Sequence, residues 1–328
     1  MRIALIASIL LATAASANAT APAYKIVDRI AGPDGGWDYV RFDPGQNRVL
    51  VTRGNTVMAV DLKTKTSSVF ANGQRMHIAL PVNNGAEILL TNGGDNTAVF
   101  VDAKTGKTVA TVPVGKGPDS AGYDSSTGMV LVVGHSGGDV TMIDPKTHQA
   151  TGTITVGGTL EEIAVDGKGR AFVNVEDKSE IVALDLKAKK PLAHYPLTGC
   201  DGPTGIAFDA DDGLVISACN GATAFTDAKT GKVVATVATG KGADGIAWDA
   251  KRKTALVSAG GDGVLNVVTV DKGKATLAQT LPTLRGARTI GIDEKTGQVF
   301  LPSAEYGTDA NGRRAMTPGS FKLLVVSP

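Results

Sequence analysis

Aromatic side chains are scarce in this 328-residue chain, at 5% of the total. That scarcity argues against stacking platforms for single-stranded nucleic acid or for a pyrroloquinoline-type cofactor. Cysteine is almost missing too, with Cys200 and Cys219 the only two, so no Cys-x-x-Cys-His haem attachment exists. No Gly-x-Ser-x-Gly elbow is present, and no dinucleotide fingerprint leads from a strand into a helix. The Gly-Lys-Gly steps at 115–117 and 240–242 precede no helix that would hold a phosphate at its N-terminus. Nor does one charge dominate: 33 basic side chains face 32 acidic ones without a Lys/Arg block. The chain therefore lacks an electrostatic footprint for nucleic acid or anionic lipid. After the first residues no stretch approaches the length of about 18 apolar residues that a membrane span requires, so no membrane insertion is expected.

The start of the chain reads differently. Arg2 is followed by IALIASILLATAA and then by Ala17-Asn18-Ala19. A basic residue, a short apolar run and an A-x-A site are the parts of a secretory signal peptide. Residues 1–19 are thus expected to be a leader cleaved after Ala19, with residues 20–328 a single domain exported to a bacterial periplasm. Cleavage takes away Arg2 and no acid, which leaves the charges in balance.

What the chain has in abundance is repetition. The stretch 203–242 holds four short runs rich in β-branched residues, separated by Asp/Gly turns. Such runs are strands, and the turn spacing makes them antiparallel hairpins. The Asp that ends the first run recurs at Asp43, Asp124, Asp166, Asp209, Asp249 and Asp293. A second marker recurs at Asp61, Asp102, Asp144, Asp185 and Asp227, in surroundings such as VDAKTG and TDAKTG. A further unit, lacking the first marker, lies over HIALPVNNGAEILLTNGGD. Both kinds of Asp cap their own turns, a structural role. Seven units of about 40–45 residues, with four strands each, are the signature of a β-propeller. The predicted fold is all-β: a seven-bladed propeller of four-stranded antiparallel blades. Its seventh unit has three strands, and the segment 24–32 resembles the missing fourth. The N-terminal strand is therefore expected to complete the last blade and close the ring.

Cys200 precedes the first strand of the fifth unit and Cys219 ends its second, which puts both on one face of a propeller. They are expected to form a disulfide, in keeping with an exported protein.

The segments VDAKTGKTVATVPVGKGPDS and TDAKTGKVVATVATGKGAD resemble the YVTN-type β-propeller repeats of YncE-like exported bacterial proteins. The resemblance covers residues 24–328 and rests on period and turns, since VTRG, LTNG and VVGH replace the literal tetrapeptide. It implies the propeller fold and export.

Five residues before each turn Asp stand Asp38, Asp119, Glu161, Thr204, Asp244 and Arg288, and alignment of the second unit adds His77. Inner strands of a propeller converge, so these side chains are expected to face one another around a channel mouth. Arg53, Glu162, Asn174, Trp248 and Arg285 are expected nearby. His135 is read as a solvated loop histidine, with membership of the ring as the alternative. Two functions fit. In the first, the mouth binds a small anionic or hydroxylated ligand or a periplasmic protein, with Arg285, Arg288 and Arg53 gripping an anion and the carboxylates reading hydroxyl or amine groups. In the second, Asp38, His77, Asp119, Glu161 and Asp244 hold a divalent cation (Ca, Mg or Zn) for lactonase-like hydrolysis. The alternative to both is a wet polar surface whose charges pair with one another. A monomer is expected, and the insertion at 305–320 is read as a lid or docking loop on the ring face.

The leader makes one direct prediction. Intact mass of the protein recovered from its native host corresponds to a chain beginning at Thr20; a mass that includes Arg2 would refute cleavage.

Overall fold

In the computed structural model, which describes residues 23–328, nearly all regular structure is β-strand. The expected leader lies outside the described residues. Five sheets have four antiparallel strands, and a sixth has seven. The large one arises because Thr66–Val82 runs 17 residues without a break. Its first part pairs with Gly54–Asp61 as the fourth strand of one unit, and its last part pairs with Glu87–Asn92 as the first strand of the next. The second unit, expected to open at HIALPV, is reached without a break: the chain passes from rim to axis as one strand.

The inner strands are Val40–Asp43, the end of Thr66–Val82, Pro118–Asp124, Leu160–Val165, Ile206–Asp209, Ala243–Asp249 and Gly291–Asp293. Each touches the next, and Gly291–Asp293 touches Val40–Asp43, so the series returns on itself. This is a β-propeller. Second strands such as Leu214–Cys219 and Thr254–Ala259 are buried at every position, because neighbouring sheets cover both faces. Strands covered on both faces read as continuous apolar runs. Outer strands such as Val233–Ala238 alternate, since only one face is covered.

Closure follows the expected route. Lys25–Ala31 pairs antiparallel with Lys322–Ser327, completing the sheet that also holds Gln298–Ser303 and Gly291–Asp293. Tyr24 adds a second fastening to the adjacent sheet. Its backbone N–H donates to Gln279 Oε1 at 2.9 Å, and Gln279 Nε2 donates back to its carbonyl at 2.8 Å. Its hydroxyl donates to Asp249 Oδ2 at 2.9 Å, with the ring 1% exposed.

The repeated aspartates act as turn caps. Asp61 Oδ1 accepts from the N–H groups of Lys63 and Thr64, both at 2.8 Å, and Asp227 accepts likewise from Lys229 and Thr230. Among the first-strand markers, Asp43, Asp166 and Asp249 are balanced by Arg48, Arg170 and Arg252. Asp209 has no such arginine, and burial pushes its pKa up. Cys200 and Cys219 are joined in a disulfide, with Cα atoms 5.3 Å apart. Among the described residues no helix is long and apolar enough to cross a membrane.

Tyr24 tests the closure. Tyr24→Ala is expected to cost about 3–5 kcal/mol, as for other buried aromatics, and Tyr24→Phe about 1 kcal/mol for the lost hydrogen bond. Guanidinium unfolding measures both; a neutral Tyr24→Ala would show that the N-terminal strand is not part of the cooperative unit.

Candidate functional site

Convergence of the inner strands brings most of the predicted ring together. His77 Nδ1 lies 2.7 Å from Asp38 Oδ2 and 3.0 Å from Asp119 Oδ1. On the other side of Asp38, Arg288 Nη2 approaches its Oδ1 at 3.5 Å, while Arg288 Nη1 pairs with Asp244. Asp244, Arg288, Asp38, His77 and Asp119 thus form one chain of alternating charge contributed by five units of the repeat. Glu161 continues the ring but takes a different partner, His135, whose Nδ1 is 3.2 Å away and also 2.8 Å from the Leu160 carbonyl. His135 therefore joins the ring, although it had been read first as a solvated loop residue. Thr204 turns its hydroxyl to the Ala243 carbonyl at 3.1 Å.

The spacing also explains the electrostatics. Burial alone would lower the His77 pKa, but hydrogen bonds and charge from Asp119 and Asp38 outweigh it and raise the value to about 10. The hydrogen bond to Glu161 lifts His135 to about 9 against the cost of burial. Burial pushes Glu161 up despite His135 beside it. Gly93 makes room for the imidazole, since a Cβ there would lie 3.1 Å from His77 Nε2.

A set of residues of which sequence reading singles out only Asn174 holds the ring backbone. Thr52 Oγ1 donates to the His77 carbonyl at 2.5 Å, Thr91 Oγ1 to that of Asp119 at 2.8 Å, and Ser258 Oγ to that of Arg288 at 2.6 Å. Asn174 Nδ2 donates to the Thr204 carbonyl at 3.0 Å, and Thr289 Oγ1 to that of Asp38 at 2.8 Å. Each donor belongs to the unit before its acceptor. The signal was present: one Ser, Thr or Asn interrupts the apolar second strand in VLVT, LLT, FVN and LVS. A buried hydroxyl or amide needs a partner, and the adjacent unit supplies it.

Other expected neighbours lie elsewhere. Arg53 gives its guanidinium to the carbonyls of Gly36, Pro33 and Gly35 at 2.7, 2.9 and 2.9 Å and stacks on Phe321 at 4.3 Å. It fastens the loop before Asp38 and does not join the ring of charges. Arg285 is exposed and has no ion pair among the described residues. Glu162 is buried one position deeper than the ring, with Arg41 Nη2 at 2.5 Å. Trp248 stands at the far end of its inner strand, next to the turn Asp249, and not at the mouth.

The insertion folds as a hairpin, Tyr306–Thr308 against Arg314–Met316, with the Arg314 guanidinium 4.2 Å above the Tyr306 ring. Between hairpin and ring lies a pocket of about 420 Å³, lined by Trp37, Arg288, Tyr306, Arg314 and the backbone of Gly36, Gly242, Gly260, Gly261 and Gly286. Side chains at those glycines would fill it; a Cβ on Gly260 would lie 2.8 Å from Arg288 Cβ.

Asp38, His77 and Asp119 can also offer one ligand atom each within 4.8 Å of one another. The His77 nitrogen facing both carboxylates is Nδ1, so a cation there would take the place of a proton.

Neither a family model nor a curated protein matches the chain. Among solved structures, it is similar to a chain in the crystal structure of a mitotic checkpoint complex, with a TM-score of 0.75 at 12% identity over 99% of each chain. It is also similar to Kuenenia stuttgartiensis hydrazine synthase, with a TM-score of 0.70 at 13% identity, over 86% of this chain and 95% of that one. Likeness at such identities speaks for the fold alone. The class is that of all-β propellers, here with a charged ring at one end of the channel.

The raised histidines give a stability profile. His77 and His135 are charged in the fold up to about pH 10 and 9, against 6.5 in the unfolded chain. Their contribution is whole below pH 6.5 and is lost as pH rises through 9 to 10. His77 can remove at most about 1.4 kcal/mol per pH unit in that window, and His135 less, because its side chain is 38% exposed and solvent screens the pair. Urea unfolding between pH 6 and 10 is expected to show the decline, cut by more than half in His77→Gln. A flat profile in the native protein would contradict the paired state.

Proposed function

We propose that the chain is an exported, periplasmic binding protein whose charged channel mouth holds a small anionic or hydroxylated ligand. The observation that carries this reading is the pocket between the ring and the hairpin. Two guanidinium groups, Arg288 and Arg314, border it, and the second has no carboxylate partner among the described residues. Planar guanidinium groups favour carboxylate and phosphate. Asp38 and Asp244 fix Arg288 in place, while the glycine backbone lets a ligand approach closely. Tyr306 and Trp37 supply apolar wall; the buried Trp37 Nε1 has no hydrogen-bond partner. A disulfide supports an oxidising compartment.

A metal-dependent, lactonase-like hydrolase is the second reading, and one observation favours it: the three ligand atoms of Asp38, His77 and Asp119 lie close enough for one cation. The fit is partial. Oxygen and imidazole donors suit a divalent ion, but His77 already serves as the cation between the two carboxylates.

Native mass spectrometry of protein isolated from its own host separates the readings. Ligand binding predicts a small-molecule adduct that is lost in Arg314→Ala while the fold is kept. A metal at one per chain, removed by His77→Ala together with turnover of a γ-lactone, would replace the first reading with the second. A co-purifying protein in place of either would make the mouth a docking face.

A further inference from the structure

The opposite end of the same channel has the reverse chemistry. In each unit the residue just before the first-strand turn is Phe42, Pro81, Tyr123, Val165, Phe208, Trp248 or Ile292. All seven positions are apolar or aromatic, and none is buried; Tyr123 is 44% exposed. In an ordinary soluble domain single exposed apolar side chains need no account, but a closed ring of them marks a binding site.

One position deeper, the pattern changes to small residues. Gly122, Ala164, Ala207, Ala247 and Gly291 occupy five of seven places. The inner strands converge there, and short side chains let neighbours approach: a Cβ on Gly122 would lie 3.3 Å from Ile163 Cγ2, and one on Gly291 2.8 Å from the Val40 carbonyl oxygen. Between the strands lies a cavity of about 960 Å³, lined by six members of the apolar ring, by these small residues and by Ile163, Ile206, Ile246 and Ile290 above them. That volume is in the range of small-molecule sites.

The charges at hand are paired at depth and balanced in number at the rim. At depth, Glu162 accepts from Arg41 Nη2 at 2.5 Å and from the Ile206 N–H at 3.3 Å. At the rim, Lys251 and Lys295 stand with Asp293 and Glu294, two of each sign. Neither the floor nor the rim asks for an ionic group. A flat protein surface would cover the ring without reaching the isoleucines. A narrow apolar group fills the space.

We propose that this end of the channel is a second binding site, for an uncharged small molecule with an alkyl or single-ring apolar body. It is separate from the charged mouth, and its selection is by apolar area. Binding therefore tightens about fourfold for each methylene buried.

Calorimetric titration of the folded protein with 1-hexanol, 1-heptanol and 1-octanol tests this, with octanoate and octylammonium as charged probes. The expected result is saturable binding at one per chain, a fourfold gain per methylene, and no preference for either charged head. Trp248→Ala should weaken octanol several-fold, and Ala207→Leu should abolish its binding by filling the cavity, with thermal melts reporting that each variant folds. Asp38→Asn, at the other mouth, should leave octanol binding unchanged. No saturable binding, affinity independent of chain length, or a tenfold preference for one charged head would overturn the proposal. So would octanol binding that responds to Asp38→Asn and not to Trp248→Ala.

Discussion

The pairing of Lys25–Ala31 with Lys322–Ser327 is the constraint on which the rest of the structure depends. A chain of sheets joined only in series could fan open, and its two end sheets would each expose an edge. Once the first strand completes the last sheet, the inner strands have no freedom to separate, and each presses on the next. Tyr24 reinforces the join by reaching Gln279 and Asp249 in the neighbouring sheet. Residues more than two hundred positions apart, such as Asp38 and Arg288, then become neighbours.

Convergence has an electrostatic consequence. Carboxylates forced to one axis repel, and the repulsion grows where burial removes water. The mouth answers by interleaving cations: Arg288 between Asp244 and Asp38, His77 between Asp38 and Asp119, His135 beside Glu161. Hydroxyl and amide groups from each preceding unit hold the ring carbonyls, so the charges are fixed in place as well as balanced. A site pre-organised in this way loses little entropy on binding. At the other end of the channel the compensation is reduced to one pair, Glu162 with Arg41, among mainly apolar inner positions.

Much of this was legible in the sequence, and the reasons are physical. Period and turn chemistry are local signals, so the strand order, the closing strand and the turn aspartates could all be read from spacing. Asp38, Asp119, Asp244 and Arg288 were found by counting back from Asp markers, and His77 by aligning the unit that lacks one; both work because inner strands of equal length meet one axis. Counting failed where the question was direction. Arg53 sits beside the ring in sequence, yet its guanidinium turns to the loop at 33–36. Trp248 was placed at the mouth although four residues of strand separate it from Asp244, enough to carry it to the other end of the channel. The continuous Thr66–Val82 strand was hidden because it contains Asn72-Gly73, a dipeptide that reads as a turn. Of the compensating partners, only Asn174 was noticed among the donors, although Thr52, Thr91 and Ser258 stand out equally in their apolar strands.

The central claim is that ring closure clamps the His77 imidazole between two carboxylates from neighbouring units. Long-range proton–nitrogen NMR of the His77 side chain tests it most directly, by following the ring through a titration. The account predicts an imidazolium that persists to about pH 10 and that deprotonates at a lower pH when Asp38 is changed to Asn. An imidazole that titrates near its ordinary value of about 6.5 in the folded protein would contradict the geometry from which every other statement about the mouth follows.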